Sequence, residues 1–506
     1  MFSKPKKINL RLLISLIILL AIFIGTSLIL WESENKVSDN PIIVEAAKDL
    51  NSYEIYIDFD PDSKSLECRQ RVEYKNRSKD DLESLYFHLY PNAFKYEDKP
   101  VFPAELMGRA YPAGNFTSAY LEIDNLKVND DPGDYMILGF SEDLLMIDLD
   151  EILAPGDTAI VDMTYRVQLA ECYGRFGYDD ISYRLGNCYP IACVYGDSGW
   201  SLHRYYDIGD PFYSDMANYK VVVKAPKEYT IASTGDVVKR KKKGKQALTE
   251  IRAQAVRDFA WLASDSFKLS SKKLGDTTVN SYYYTGQGKE ALDFAVAALK
   301  AYNDAFGQYP YNQLSVVQTN FFIGGMEYPN LVMIDCDMYS SSRLDSLEYI
   351  IAHELAHQWW YGLVGNDQVM EPWIDEGLTE YSTILYYGLV STSYTEDQVI
   401  DMVQYNKYKA AQARSPYLYP EIDETIDRPV YEFEDWETYD LLVYGKAALM
   451  FHGIRETIGD DLFFDVLKEY YKEYRFLNVN KDDIVGVFNR VTGRDFGPYF
   501  DQWLYD

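Results

Sequence analysis

His353-Glu354-Leu355-Ala356-His357 decides how this chain is read, and Glu376 follows nineteen residues after the second histidine. On a helix, positions i and i+4 share a face, so His353 and His357 can aim both imidazoles at one metal ion. A hydrolytic zinc ion takes three protein ligands and keeps a fourth position for water. His353, His357 and Glu376 make that set, for one Zn2+ per chain. Glu354, beside the first histidine, can reach the metal-bound water without binding the metal, which suits a general base. The plain alternative is a helix with two surface histidines. With five histidines in 506 residues, chance explains this spacing poorly.

A chain of this length divides into several domains. Lys4, Lys6, Lys7 and Arg11 precede an uncharged run from Leu12 to Trp31. At about 1.5 Å per residue, that run matches a hydrocarbon core of about 30 Å. It lacks the small-x-small cleavage site of a secretory signal. The expectation is a cytoplasmic basic N-terminus over 1–11, a transmembrane signal anchor over 12–31 and a polar stalk over 32–48. The chain is then a single-pass cell-membrane protein, held in the lipid bilayer, with its C-terminal part extracellular. The net charge of −30 repels phosphate backbones and argues against nucleic acid as a partner. Five cysteines with no C-x-x-C pair give no zinc knuckle and read as mostly buried free thiols.

From Tyr53 to Phe59, and again from Ala217 to Lys224, apolar residues alternate with period two, as in strands. Residues 49–265 therefore read as one β-rich domain. Lys239-Arg240-Lys241-Lys242-Lys243-Gly244-Lys245 reads as a solvated hairpin tip with a glycine turn. Beyond residue 266 the period becomes helical. Helices are expected from Glu290 to Phe306, from Leu344 to Leu363 around the histidines, from Trp373 to Leu389 behind Pro372, and over 394–412 and 445–475.

Three separated motifs resemble, in order, those of the gluzincin zinc aminopeptidases of the aminopeptidase N type. Gly324-Gly325-Met326-Glu327-Tyr328 is similar to that family's G-x-M-E-N. His353–His357 with Trp373-Ile374-Asp375-Glu376-Gly377 is the second, and Tyr444-Gly445-Lys446-Ala447, similar to Y-x-K-G, is the third. The resemblance covers roughly residues 50–506. It implies an α+β multidomain fold, with an N-terminal β-rich domain built on a saddle-like sheet and a thermolysin-like mixed α/β zinc peptidase domain over 266–506. It also implies a zinc metallo-aminopeptidase acting on peptides with a free N-terminus. Tyr444 would then donate to the developing oxyanion. Gly324, Gly325 and Met326 would line the substrate as an edge strand, and Glu327 would hold its α-ammonium group.

Two departures stand out. Tyr328 occupies the family's Asn position and is expected to reshape the subsite for the first side chain. After His357 the chain reads Gln358-Trp359-Trp360-Tyr361-Gly362-Leu363-Val364-Gly365, where the family usually ends Gly-Asn-Leu-Val-Thr. Phe500-Asp501-Gln502-Trp503-Leu504 resembles the end of the family's catalytic domain, so the resemblance implies a more open site than in longer members. Glu380, one turn past Glu376, either holds a histidine tautomer or is simply solvated. Tyr328 and the open site keep a zinc endopeptidase in view, and a non-catalytic surface binding module is the remaining alternative.

Overall fold

In the computed structural model, which describes residues 38–99, 101–103, 106–390, 393–403 and 423–505, the alternating run around Tyr53 is strand β1 (Asn51–Asp60). Tyr53, Ile55, Ile57 and Phe59 are buried on one face. That face belongs to an eight-stranded sheet. The other strands are β2 (Ser65–Lys75), β3 (Tyr120–Val128), β4 (Asp131–Pro132), β5 (Thr158–Gln168), β6 (Ala217–Pro226), β7 (Asp236–Lys243) and β8 (Gln246–Val256). Their order is β7-β8-β6-β1-β2-β5-β3-β4, with β1 and β6 parallel. A four-stranded sheet adds Thr230–Ser233, Ala260–Ser264, Tyr183–Gly186 and Phe176–Tyr178, and a second adds Ile191–Ala192, Leu82–His88, Leu144–Leu153 and Tyr135–Leu138. The basic run forms the end of β7 and its turn into β8. Lys243 faces Gln246 there, and Gly244 takes the left-handed φ of 63° that such a tight turn requires.

The second domain is mixed, so the whole is a two-domain α+β fold. Its sheet runs β9-β10-β11-β13-β12, with β9 at Lys268–Leu274, β10 at Thr277–Tyr283, β11 at Gln313–Thr319, β12 at Gly325–Met326 and β13 at Leu331–Asp335. Strands β11 and β13 are buried along their whole length, as parallel central strands usually are. Helices α1 (Gly288–Phe306) and α2 (Leu344–Ala356) pack against the sheet, α3 (Trp373–Leu389) packs against both of them, and α4 (Ala447–Ile458) and α5 (Asp460–Tyr474) follow. Helix α3 is buried from Trp373 to Tyr387, so it is the central pillar rather than an amphipathic surface helix.

The structure corrects several expectations. The membrane-anchored, single-pass placement is not upheld, because no helix among the described residues is long and apolar enough to cross a membrane. The longest of those helices, α1, carries Lys289, Glu290, Asp293, Lys300 and Asp304. The segment 12–31 on which the anchor rested lies outside the described residues. Residues 41–46, read as part of a stalk, form a short helix capped by Asn40, which also donates to the Pro310 carbonyl at 2.8 Å. The histidine helix ends at Ala356 and not at Leu363, because the chain turns back so that Trp359 and Trp360 can both enter the core. The 445–475 helix is two helices, broken at Gly459 with φ of 82°. Of 394–412, the described part holds a helix over Glu396–Met402 with a full capping box, and 404–412 lie outside the described residues. All five cysteines are free thiols, and only Cys336 is partly exposed.

Candidate active site

Helix α2 buries Leu347, Ile351 and Leu355, and this turns His353 and the C-cap residue His357 toward the first turn of α3. Pro372 precedes that turn, with Asp375 and Glu376 at its positive end, where carboxylates are favoured. One Glu376 oxygen lies 3.1 Å from His357 Nε2 and 3.4 Å from His353 Nε2. The three candidate ligand atoms fall within 4.8 Å of one another. Tetrahedral ligands about 2.0–2.1 Å from a zinc ion sit roughly 3.3 Å apart, so the spacing fits that ion.

The electrostatics fit it too. Burial works against charge on both rings, but the hydrogen bonds that His353 donates to Glu376 and Glu380 outweigh it there and raise its pKa to about 9. At His357 the carboxylates of Glu376 and Glu327 outweigh burial in the same way. Burial would likewise raise Glu376, yet the two histidines hold it well below the usual carboxylate range. Glu327, Glu354 and Glu376 thus surround the two imidazoles with carboxylates, a setting that favours a bound cation.

The outer nitrogens of both rings are held. His353 Nδ1 lies 3.2 Å from Glu380, and Tyr349 donates to the other Glu380 oxygen at 2.5 Å. Glu380 is therefore a buried partner of a candidate ligand, and solvation does not explain it. His357 Nδ1 faces the Trp360 carbonyl at 3.0 Å and Thr379 at 3.1 Å. Both partners leave Nε2 free to ligate.

Glu354 points into the same space. It is buried, and its Oε2 has no hydrogen-bond partner among the described residues. Burial, reinforced by the Glu327 carboxylate, raises its pKa to about 8 against the opposing pull of the histidines. Strand β12 passes directly over it. A methyl group on Gly325 would stand 2.1 Å from Glu354 Oε1, so only glycine admits the carboxylate there. Gly324 takes φ of 118°, its carbonyl receives the Asp335 amide at 2.8 Å, and Met326 pairs with Met333, which fixes β12 at the edge of the sheet.

Glu327 is buried and accepts from Gln368 at 3.2 Å. Gln368 donates to Asp375 as well, at 2.7 Å. Glu327, His357 and Asp375 also present three ligand atoms within 4.8 Å, but both Asp375 oxygens already receive amide donors, from Gln368 and Asn366. Tyr328, expected beside the substrate, instead lies fully buried against Gly186 of the first domain.

Tyr444 sits on a π-helical stretch, Asp440–Lys446, leading into α4. Gly377 of α3 brings that stretch close, since a Cβ there would be 2.5 Å from the Ala447 methyl. Tyr444 stacks on His353 with ring centroids 5.8 Å apart and donates to Glu376 Oε1 at 2.6 Å. Burial and the Glu376 carboxylate hold its phenol well above the usual range, so it keeps its proton.

Sequence reasoning missed Asp210 and Arg175. These first-domain residues form a buried ion pair at 2.9 Å. Gly209 packs that loop on Tyr439, one helical turn before Tyr444. Neither residue lies in a motif, and no local pattern links them to a helix more than 200 residues away.

Residues 290–503 match the Peptidase family M1 domain. Among curated proteins, it is 28% identical over 232 residues to Aminopeptidase M1-C of Oryza sativa subsp. japonica, covering 43% of this chain and 25% of that one. It is 26% identical over 225 residues to Aminopeptidase N of Lactococcus lactis subsp. lactis, covering 42% and 26%. The matched stretch thus spans about a quarter of these relatives' length. Among solved structures, an M1 zinc metallopeptidase from Deinococcus radiodurans superposes with a TM-score of 0.62 at 16% identity, covering 90% of this chain and 93% of that one. At that identity the likeness concerns the fold.

Proposed function

We propose that the protein is a zinc aminopeptidase that removes the first residue of peptides bearing a free N-terminus. The observation that carries this reading is the convergence of His353, His357 and Glu376 beneath an edge strand, with the unpartnered Glu354 carboxylate beside them. A zinc ion held by those three residues would polarise the scissile carbonyl and acidify water. Glu354 takes a proton from the attacking water and delivers it to the departing amine, a task that suits its raised proton affinity. The β12 edge hydrogen-bonds the substrate backbone as an added strand. Tyr444 turns its hydroxyl from Glu376 to the carbonyl oxygen as charge develops there. Glu327, buried and acidic, receives the α-ammonium group and thereby limits cleavage to the first bond. The names of the relatives above, and a Deinococcus M1 zinc metallopeptidase variant described as bound to a Tyr-Ser-Ala substrate, support the reading.

The deciding experiment incubates the zinc-loaded full chain with one peptide library in free and N-acetylated forms. Free peptides are expected to lose single N-terminal residues, acetylated ones to stay intact, and exhaustive chelation to abolish turnover. Equal cutting of both forms would make the chain an endopeptidase, and full activity without metal would remove the zinc reading.

A smaller test concerns Gly325. In Gly325→Ala the new methyl must push the Glu354 carboxylate aside. A displacement of about 1 Å costs roughly 100-fold, so kcat should fall by that order with zinc content unchanged. Parent-like kcat would mean that Glu354 does not act from the position seen here.

A further inference from the structure

The turn that follows His357 is strained and is gripped from the other domain. Tyr361 has φ of 122°, a region that bulky residues rarely adopt, and it is buried. Arg257, from the segment between β8 and the strand Ala260–Ser264, is itself buried. Its Nε donates to the Tyr361 carbonyl at 2.8 Å, and its other nitrogens donate to the carbonyls of Ser214 and Leu477 and to the Asn478 side chain. The next residue, Asp258, is fully buried and accepts from the Tyr361 hydroxyl at 2.6 Å. Gly365 makes the grip feasible, because a Cβ there would lie 2.0 Å from the Arg257 guanidinium carbon. The turn so held carries the Trp360 carbonyl, which lies 3.0 Å from His357 Nδ1.

We propose that Arg257 and Asp258 are positioning residues for the metal centre: by clamping Tyr361 in its strained conformation, the first domain fixes the carbonyl that orients His357. The inference rests on the zinc reading above. An imidazole that ligates through Nε2 needs an acceptor for Nδ1–H, and the aim of that acceptor sets the plane of the ring. Without the clamp, a tyrosine at this φ relaxes toward ordinary backbone, and the Trp360 carbonyl swings with it. Backbone bonds within the turn, from Tyr361 N to Val364 O at 2.7 Å and Gly362 N to His357 O at 2.8 Å, oppose the relaxation, and Thr379 remains a second partner for Nδ1. The clamp therefore tunes the centre and is not required for its assembly.

The test uses the full chain with Tyr361→Phe, Asp258→Asn and Tyr361→Gly. Each is read by zinc affinity in chelator competition, by the visible spectrum of the cobalt(II)-substituted protein and by thermal stability. Tyr361→Phe keeps the strain and the Arg257 bond to the carbonyl but loses the Asp258 tether, so zinc affinity should fall roughly tenfold or more and the cobalt spectrum should shift. Asp258→Asn retains an acceptor oxygen and should stay near the parent. Tyr361→Gly takes the same φ without strain, so it should bind zinc more tightly than Tyr361→Phe despite the cavity it leaves. If Tyr361→Phe lowers thermal stability while zinc affinity and the cobalt spectrum match the parent, the clamp is a structural tie between domains and the inference falls. A parent that takes up no zinc or cobalt would instead overturn the zinc reading, and this inference with it.

Discussion

Glu354→Gln is expected to keep its zinc and lose roughly two to four orders of magnitude in kcat. The substitution preserves shape and removes only the ability to accept a proton. The surroundings make it a clean test. Glu354 Oε2 has no hydrogen-bond partner among the described residues, and Gly325 has no side chain to crowd the carboxylate. The amide therefore replaces the acid without breaking another contact. Metal analysis and kcat measured on the same preparation decide it. Unchanged turnover with full zinc would take Glu354 out of the mechanism, whereas loss of zinc would mean that it contributes to metal binding.

Glu327→Ala is expected to lose about 2–5 kcal/mol in kcat/KM on free-amine peptides, the usual result of deleting one partner of a desolvated charge pair. Glu327 is buried and hydrogen-bonded to Gln368, so its removal leaves a cavity and strands that amide. Glu327→Gln controls for both, since it fills the same volume without the charge. Both variants should lose activity together if the charge is what binds the ammonium group. If the glutamine variant is parent-like and only alanine is impaired, Glu327 serves packing, and exclusion of blocked peptides must come from elsewhere, Asp210 being the nearby buried carboxylate.

The legibility of this protein in its sequence was uneven for identifiable reasons. The alternation in β1 and β6 and the spacing of His353, His357 and Glu376 are local patterns, imposed by two-residue and 3.6-residue periods that any folded context must respect. They were enough to give strands, the histidine helix and a candidate metal set. The membrane placement drawn from the apolar run over 12–31 is not upheld, since no helix among the described residues is long and apolar enough to cross a membrane, and that run lies outside them. Helix ends also misled. Local propensity continued α2 through Trp359 and Trp360, while the core required both indoles and turned the chain at Ala356.

Other features were out of reach of any local pattern. Glu380 read equally well as a solvated residue until tertiary packing buried it against His353 and Tyr349. Tyr328 looked like a substrate-facing substitution, yet the meeting of the two domains drew it against Gly186. Arg257 and Asp258 carry no motif, and their meaning lies in a contact with Tyr361 more than a hundred positions away. The sequence by itself determined the candidate ligands and base, because one helix and its neighbour place them through short-range periodicity. Only the tertiary structure decided what surrounds them, because burial, unpartnered carboxylates and a strained turn arise where distant segments are packed together and water is excluded.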